Sequence, residues 1–379
     1  MIEVVISGTG VFTPAESISN EELVASFNQY VEAFNKTHAD AIRRGEVEAL
    51  RPSDEAFIFK ASGIKSRYVV NKSGILDVNV MQPMVPARDN DELSLQAEMA
   101  VISAQEALAR AHCEAKDIDM VICACSTMQR PYPGMAMEVQ AALGMGGYAF
   151  DMSVACSSAT FGIQTAVDAI RNHSASTVLI VTPEICTANI NFRDRDSHFI
   201  FGDASTAIIL QRKELCRSAQ AFTIVDTCLK TQFSNNIRSN FGFLAKMDPR
   251  VSKNPQHLFD PDQTFIQQGR KVFKEVIPLV SDMILHHLAQ NNINTSEIKR
   301  LWLHQANINM NRLIASKVLG YEPSETQAPN VLEHYANTSS PGCIIAFHFF
   351  QDNLHSGDIG VICSFGAGYS AGNVIVKKI

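Results

Sequence analysis

The sequence has little excess charge of either sign and no long apolar run. Its 32 lysine and arginine residues stand against 39 aspartate and glutamate residues, a formal net charge of -7 over 379 residues. Binding to nucleic acid or to an anionic membrane requires concentrated basic residues, so we expect neither partner. The most apolar late stretch, residues 342–350, contains His348 and is too short to span a bilayer.

Paired cysteine spacings are also missing. Of the nine cysteines, only Cys123 and Cys125 stand close together. This pattern is typical neither of a disulfide framework nor of a zinc motif, so we expect no metal and a reducing, cytoplasmic location. The first residues include an acidic third position and no basic stretch, which argues against a signal peptide.

Short β-branched runs alternate with longer helical patterns. Strand-like runs occur at 4–6, 120–125 and 177–181, and helical patterns occur at 93–111 and from Met135 onward. This alternation predicts an α/β fold with buried strands. The hydrophobic content of 46% is enough for a large core, in one big domain or in two fused halves.

A coarse internal repeat favours two halves. Residues 201–210 and 365–376 each read as a glycine turn followed by a strand of small residues, and the apolar run at 300–304 mirrors the run at 120–125. We therefore predict an N-terminal half of residues 1–215 and a C-terminal half of residues 216–379.

Three separated segments carry reactive or hydrogen-bonding side chains. They are Asp151-Met-Ser-Val-Ala-Cys156-Ser-Ser-Ala-Thr-Phe-Gly, Leu303-His304-Gln-Ala-Asn307 and His334-Tyr-Ala-Asn337-Thr-Ser-Ser-Pro-Gly. Cys156 follows a strand-like stretch and precedes a helical pattern. A helix N-terminus stabilises a thiolate, so the sequence predicts a reactive cysteine with a lowered pKa. The structural alternatives are that Cys156 is a buried free cysteine, that His304 caps a strand end, and that Asn337 caps a helix.

These segments resemble the β-ketoacyl-acyl-carrier-protein synthase III family of the thiolase superfamily. Further matching stretches lie at 7–10, 62–67, 201–205 and 364–372. The resemblance implies two pseudo-duplicated α/β halves in a five-layered α-β-α-β-α core. The duplication places Cys156 and Asn337 at equivalent helix ends that face one cleft. The resemblance also implies a homodimer.

Two segments of the N-terminal half depart from a minimal member of that family. Residues 29–52 read as a charged, helical insertion, and residues 72–92 read as a loop with several prolines and acids. Such insertions often shape substrate entrances. A solvated elaboration of the surface is the alternative.

The resemblance implies a decarboxylating condensation of two thioesters. Cys156 would take an acyl group from acyl-coenzyme A, and malonyl-acyl carrier protein would lose carbon dioxide and extend that group. His304 and Asn337 would donate hydrogen bonds to the malonyl thioester oxygen, and the backbone N–H groups of Cys156 and Ala367 would form the oxyanion hole. Coenzyme A enters as a substrate thioester, and no metal or redox cofactor is implied.

Other positions carry over from the same resemblance. Tyr132 would reach across the dimer interface into the partner's acyl pocket, Phe201 would line the pocket beside Cys156, and Arg195 would lie near the coenzyme A entrance. The remaining candidates are Phe57 and Asn307 at the substrate site, and Arg312 and Lys317 for docking of the carrier protein. For Tyr132 the alternative is an aromatic side chain in a turn, and for Phe201 it is core packing. For Arg195 the alternative is a salt bridge within its loop. Arg312 and Lys317 could instead be solvated surface charges.

The sequence leaves several functions open. The leading hypothesis is the condensing enzyme just described, acting on a primer of unspecified length. A second is a condensing or acyl-transfer enzyme of specialised metabolism that uses medium or long acyl-coenzyme A. A 3-hydroxy-3-methylglutaryl-coenzyme A synthase would need a carboxylate base, which the sequence does not identify, and a non-catalytic partner subunit would be expected to lose the three site residues.

Overall fold

A computed structural model of the chain describes residues 2–242, 244–254, 257 and 260–379. The predicted halves also include residues 1, 243, 255, 256, 258 and 259, which lie outside the described residues. The helices are α1 (Asn20–Thr37), α2 (Ala39–Arg43), α3 (Glu55–Ser62), α4 (Lys72–Leu76), α5 (Leu95–Ala111), α6 (Met135–Leu143), α7 (Ser158–Arg171), α8 (Pro249–Lys253), α9 (Gly269–Gln290), α10 (Ile308–Leu319), α11 (Leu332–Tyr335) and α12 (Pro341–Phe349). The strands are β1 (Val4–Phe12), β2 (Glu16–Ser19), β3 (Ser66–Val69), β4 (Met120–Ala124), β5 (Tyr148–Met152), β6 (Thr177–Ile185), β7 (Asp203–Arg212), β8 (Phe222–Ser234), β9 (Ile237–Ser239), β10 (Phe265–Gln267), β11 (Ile298–Leu303), β12 (Ile359–Gly366) and β13 (Gly368–Lys378).

Nine strands form one mixed sheet in the order β11-β12-β13-β8-β1-β7-β6-β4-β5. On the N-terminal side, β4 and β6 are parallel, and β6–β7 and β7–β1 are antiparallel. On the C-terminal side, β11 and β12 are parallel, and β12–β13 and β13–β8 are antiparallel. The two runs meet where β1 pairs with β8 over only two residue pairs. The same pairing pattern therefore occurs twice, while the exact bounds 1–215 and 216–379 remain a prediction.

Helices α7 and α12 form the central layer of the molecule. The buried face of α7 includes Ile163, Val167 and Ile170, and it shares a hydrophobic cluster with α12 and with strands from both runs of the sheet. All of α12 except its last residue is buried, as expected for a helix that is apolar all round. Burying each large aliphatic side chain contributes about 2 kcal/mol, so this layer holds the two runs together.

Two outer layers complete the core. Helices α5 and α6 pack on β4, β6 and β7, and helices α9 and α10 pack on β11, β12 and β13. The layers thus follow one another as helix, sheet, helix, sheet, helix. The predicted five-layered α/β architecture is confirmed.

The two predicted insertions contribute to a cap beside the sheet. Residues 29–52 contain the end of α1 and all of α2, followed by an irregular stretch, and residues 72–92 contain α4 and a loop. A fourth hydrophobic cluster joins Phe27 and Val31 of α1 to Ile75 of α4 and to Phe199 and Phe201. Within the described residues, no helix is both long and apolar enough to cross a membrane.

Candidate active site

Cys156 lies in the turn between β5 and α7. Strand β5 ends at Met152, and Cys156 immediately precedes Ser157, the N-cap of α7. The turn is tight because Ser157 N–H donates to the carbonyl of Val154 at 3.0 Å, and Ala155 has φ 47°. The sulfur is therefore held at the strand-to-helix junction that the sequence predicts.

His304 follows directly after the last residue of β11. Its N–H donates to the carbonyl of Cys363 at 2.8 Å, and its ring packs edge-on against Phe365 with ring centroids 5.2 Å apart. The side chain is buried, and Nδ1 has no hydrogen-bond partner among the described residues. Burial lowers the pKa of His304 to about 3, so the imidazole is neutral at physiological pH.

Asn337 is anchored through its backbone and through one end of its amide. Its N–H donates to the carbonyl of Ile200 at 3.0 Å, and its carbonyl accepts the N–H of Gly202 at 3.1 Å. Oδ1 accepts the N–H of Ser339 at 2.8 Å, whereas the N-cap of α12 is Ser340. The alternative that Asn337 merely caps a helix is wrong, and the amide nitrogen is the group left to donate.

One cavity of about 720 Å³ brings these three residues together, since Cys156, His304 and Asn337 all line it. The cavity joins a motif of the N-terminal half to two motifs of the C-terminal half. Its apolar walls near these motifs include Ile200, Phe201 and Phe365; β9, β10 and α9 add Ile237, Phe265, Val272, Phe273 and Val276.

Cys156 is partly buried and lines the cavity, with its sulfur packed against Gly366. A Cβ added to Gly366 would lie 2.6 Å from Cβ and 3.0 Å from Sγ of Cys156, so glycine is the only residue that fits there. Burial raises the pKa of the Cys156 thiol to about 11, although the nearby Ser339 hydroxyl and the N–H of Ala367 act to lower that pKa. The predicted lowered pKa is therefore wrong, because desolvation outweighs the helix end.

The predicted oxyanion-hole residues meet at this sulfur. The N–H of Ala367 and the N–H of Cys156 both lie close enough to stabilise negative charge on Sγ. Both residues also line the cavity. Two backbone N–H groups thus lie beside the nucleophile, and their role as an oxyanion hole remains a prediction.

Some of the predicted substrate-binding residues line the cavity, and others do not. Phe57, Phe201 and Asn307 line the cavity. The amide of Asn307 is already engaged, because Nδ2 donates to Ala61 and Oδ1 caps α10 by accepting the N–H groups of residues 309 and 310. Arg195 does not line the cavity, but its guanidinium lies 3.9 Å from the centre of the Phe57 ring. Arg195 also lies 3.7 Å from Asp196, so the predicted loop ion pair is present as well.

Three further predicted residues, besides Arg195, lie outside the cavity. Tyr132 is 78% exposed. Arg312 and Lys317 are exposed on α10, and Arg312 lines a second groove of about 510 Å³ that shares Asn309 with the cavity. Their predicted roles at a dimer interface and in carrier docking remain predictions.

The sequence did not identify the cavity walls that come from β9, β10 and α9. No motif marks these segments, because ordinary apolar residues form the walls. Glu184, a buried carboxyl beside the site, was missed as well. An acid near the end of the apolar run at 177–185 was the available signal for Glu184. Within the described residues, no group of three or more His, Cys, Asp or Glu side chains is arranged to hold a metal ion.

Comparisons with known proteins agree with this geometry. A family model described as 3-oxoacyl-[acyl-carrier-protein] synthase III matches residues 150–232, and the model of its C-terminal part matches residues 288–378. A curated relative from Pseudomonas aeruginosa, named β-ketodecanoyl-[acyl-carrier-protein] synthase, is 58% identical over 354 residues, which cover 93% of this chain and 99% of the relative. The β-ketoacyl-[acyl-carrier-protein] synthase III of Bartonella tribocorum is 24% identical over the full length of both chains.

Solved structures share the fold. The 3-oxoacyl-[acyl-carrier-protein] synthase III of Aquifex aeolicus aligns with a TM-score of 0.74 at 22% identity and covers 99% of both chains. The priming β-ketosynthase of the R1128 polyketide pathway aligns with a TM-score of 0.76 at 20% identity, covering 99% of this chain and 96% of that one. The five layers described above are therefore those of the thiolase-like fold.

Proposed function

This chain belongs to the β-ketoacyl-[acyl-carrier-protein] synthase III family of condensing acyltransferases, and we propose that its primer is a medium-chain acyl group of about eight carbons. The convergence of Cys156, His304 and Asn337 in one apolar cavity supports the condensation chemistry. The primer length rests on the relative from Pseudomonas aeruginosa, whose named product has ten acyl carbons. Malonyl contributes two of those carbons, so the primer contributes eight.

The first step transfers the acyl group to Cys156. Sγ attacks the thioester carbonyl of acyl-coenzyme A, the carbon–sulfur bond to coenzyme A breaks, and the thiol proton ends on the departing coenzyme A sulfur. The N–H groups of Cys156 and Ala367 hold the oxyanion of the tetrahedral intermediate. An acyl-thioester on the enzyme stores the primer and splits the reaction into two easier steps.

The second step generates the carbon nucleophile from malonyl-acyl carrier protein. The bond to the malonyl carboxylate breaks, carbon dioxide leaves, and its electron pair becomes an enolate of the thioester. Nε2–H of neutral His304 and the amide N–H of Asn337 donate to the enolate oxygen. This assignment needs no general base, which agrees with a histidine that burial keeps unprotonated.

The third step joins the two fragments. The enolate carbon attacks the acyl carbonyl on Cys156, the same oxyanion hole holds the new alkoxide, and the bond to Sγ breaks to release the 3-oxoacyl-acyl carrier protein. The thiolate then takes up a proton, which the high pKa of Cys156 favours. The cysteine returns to its neutral form after each cycle.

Apolar residues near the catalytic groups support a medium-length primer. Phe201 forms a strand bridge with Asn337 and stacks edge-on with Phe265 at 4.8 Å. Val272 and Val276 of α9 line the same cavity, so the apolar wall continues beyond the catalytic residues. We place the primer chain along this wall, because burying each methylene contributes about 0.8 kcal/mol.

We further propose that the enzyme is a homodimer. Strand β5 lies at the edge of the sheet, where one side lacks a partner strand among the described residues. Tyr148 of β5 is 45% exposed and Met137 of α6 is 51% exposed, which is unusual for large apolar side chains at an open sheet edge. Pairing of β5 with a second copy would cover them. A monomer by light scattering would contradict this proposal.

The carrier protein would dock at α10. Arg312 and Lys317 are exposed on this helix, and Asn309 in its first turn lines the cavity. An acidic carrier could contact these cations while its malonyl arm enters the cavity.

The nine cysteines are all unpaired, so we place the reaction in the reducing cytoplasm.

Intact-protein mass spectrometry tests the proposed function. The protein is incubated with acyl-coenzyme A primers from acetyl to dodecanoyl, then with malonyl-acyl carrier protein, and Cys156→Ala serves as the control. We expect an octanoyl adduct on Cys156 that malonyl-acyl carrier protein consumes to give a ten-carbon 3-oxoacyl product. Preferential acetylation would instead indicate an initiator of fatty-acid synthesis, and absence of any adduct would refute the acyl-cysteine mechanism.

A further inference from the structure

Glu184 is a buried carboxyl that the three reaction steps do not use. It lies one residue before the end of β6 and is fully buried. Oε1 accepts the N–H of Ser126 at 2.6 Å and the hydroxyl of Ser340 at 2.7 Å, and Oε2 accepts the hydroxyl of Ser126 at 2.6 Å. The ion pairs of the described residues do not include Glu184. The carboxylate of Glu184 is therefore hydrogen-bonded by two hydroxyls and one backbone N–H, and no cation is paired with it among the described residues.

These contacts cross from one run of the sheet to the other. Ser126 follows β4, whereas Ser340 is the N-cap of α12 and belongs to the C-terminal run of the chain. The Ser340 hydroxyl also lies 3.3 Å from the carbonyl of Ala124. Ser340 stands three residues after Asn337, so Glu184 holds one end of the segment that carries the amide donor.

The segment between Asn337 and Ser340 has a conformation that needs support from both ends. Ala336, just before this segment, has φ 54°, and Ser339 within it has φ 60°; positive φ of this kind costs about 1 kcal/mol or more for residues other than glycine. At its start, Asn337 is fixed by backbone bonds to Ile200 and Gly202. At its end, the fixed point is the bond from Ser340 to Glu184.

We propose that Glu184 is a positioning residue that holds the Asn337–Ser340 turn in its strained form, so that the Asn337 amide points at the malonyl thioester. This inference rests on the proposed role of Asn337. Without the Ser340 contact, Ser339 relaxes toward negative φ. The Asn337 amide then swings away from the cavity while Cys156, on a separate turn, keeps its place.

The hydrogen bonds of Glu184 to Ser126 and Ser340 persist when its carboxyl is protonated. Burial raises the pKa of Glu184 to about 7, so both forms are populated near neutral pH. The titratable groups that interact with it are the thiols of Cys125, Cys156 and Cys186. In the protonated form, Oε2–H donates to Ser126 and Oε1 keeps its two donors. Glu184→Gln reproduces that arrangement without charge.

The test compares the two partial reactions in Ser340→Ala, Glu184→Gln and Glu184→Ala. Self-acylation is followed by intact mass with octanoyl-coenzyme A, and decarboxylation by release of carbon dioxide from malonyl-acyl carrier protein. We expect Ser340→Ala to lower decarboxylation at least tenfold while self-acylation stays within about twofold, and Glu184→Gln to remain near the wild type in both. Ser281→Ala is the control, since its buried hydroxyl bonds only within α9, to the carbonyls of Ile277 and Pro278.

Glu184→Ala leaves two hydroxyls without their acceptor and is interpreted only if its melting temperature stays near that of the wild type. Selective loss of decarboxylation, restored in Glu184→Gln, supports the positioning role. Equal loss of both partial reactions in Ser340→Ala, or no loss of either, overturns it. A wild-type enzyme that acylates Cys156 but never decarboxylates malonyl-acyl carrier protein refutes the proposed function itself, and this inference with it.

Discussion

Asn337 and Ser339 form a two-residue turn in which the side-chain oxygen of the first accepts the N–H of the second at 2.8 Å. Within a side-chain amide only the oxygen can accept a hydrogen bond from a backbone N–H, so this bond assigns the oxygen end of the Asn337 amide to Ser339. The nitrogen is the end that remains for a ligand, in a cavity that also contains His304 and Cys156. The turn thus presents a donor, as stabilisation of an enolate oxygen requires.

Asn337→Asp replaces that donor by an acceptor of the same size. The bond to Ser339 is retained, and the new carboxylate repels the enolate. We expect malonyl decarboxylation to fall about 100-fold, the usual cost of removing one such donor, while self-acylation of Cys156 continues. Measured carbon dioxide release and intact mass separate the two steps.

Asn191→Asp is the matched control for that variant. Oδ1 of Asn191 accepts the N–H of Arg193 at 2.9 Å in the same kind of turn, but Asn191 lines neither the catalytic cavity nor the groove beside α10. We expect both partial reactions of Asn191→Asp to match the wild type. Normal decarboxylation by Asn337→Asp would show that the amide has no part in the reaction.

Gly366→Ala tests the packing on the nucleophile. The added methyl would lie 2.6 Å from Cβ of Cys156 and must displace it or the turn around Ala367. We expect acyl transfer to fall at least tenfold, with the melting temperature lowered by a few degrees. Gly146→Ala meets no atom within 4 Å and should behave as the wild type. Full acylation by Gly366→Ala would mean that this turn adapts freely.

The raised pKa of Cys156 predicts an unusual pH dependence of its alkylation. Only the thiolate reacts, and burial holds the pKa at about 11, so the rate with iodoacetamide should rise about tenfold per unit between pH 7 and pH 10. Peptide mass spectrometry distinguishes Cys156 from the other eight cysteines. Ser339→Ala, which removes a hydroxyl near the sulfur that lowers the pKa of Cys156, should react more slowly at each pH. A plateau near pH 7 would contradict the prediction.

Glu184→Gln should change how stability depends on pH. The folded-state pKa of Glu184 is raised from 4.5 to about 7, so its carboxyl favours folding fully below pH 4.5 and loses that contribution as the pH rises through 7. Glutamine does not titrate. The free energy of unfolding of the variant relative to the wild type should therefore grow by about 3 kcal/mol between pH 4 and pH 8. Urea titrations at both pH values measure it, and a constant difference would contradict the assignment.

Phe265→Ala should shift the preferred primer to longer chains. Phe265 packs on Phe201 and lines the cavity, so its truncation extends the apolar wall where we place the acyl chain. We expect decanoyl and dodecanoyl adducts to gain on octanoyl in competition experiments read by intact mass. Phe241→Ala, after β9, is 58% exposed and outside the cavity lining, and should leave the preference unchanged. An unchanged preference in Phe265→Ala would place the chain elsewhere.

Much of the fold could be predicted because its signals are local. The periodicity at Ile163, Val167 and Ile170 predicts a packed helix after Cys156, and α7 begins two residues after the cysteine. The glycine turns at 202 and 366 predict the strands that follow them. The insertions were harder to interpret, since charged helical patterns such as residues 29–52 carry no information about which surface they cover.

The sequence by itself determined the α/β fold class and the three residues that meet in one cavity, because hydrophobic periodicity and motifs involve neighbouring residues; the family and the five-layered architecture followed from the resemblance of those motifs. Tertiary structure alone decided the charge state of the site. The lowered pKa expected for Cys156 at a helix end became a raised one, and Glu184 acquired a pKa of about 7, because desolvation depends on which distant segments close over a group. The orientation of the Asn337 amide likewise depends on Ile200, Gly202 and Ser340, which come together only in the folded chain.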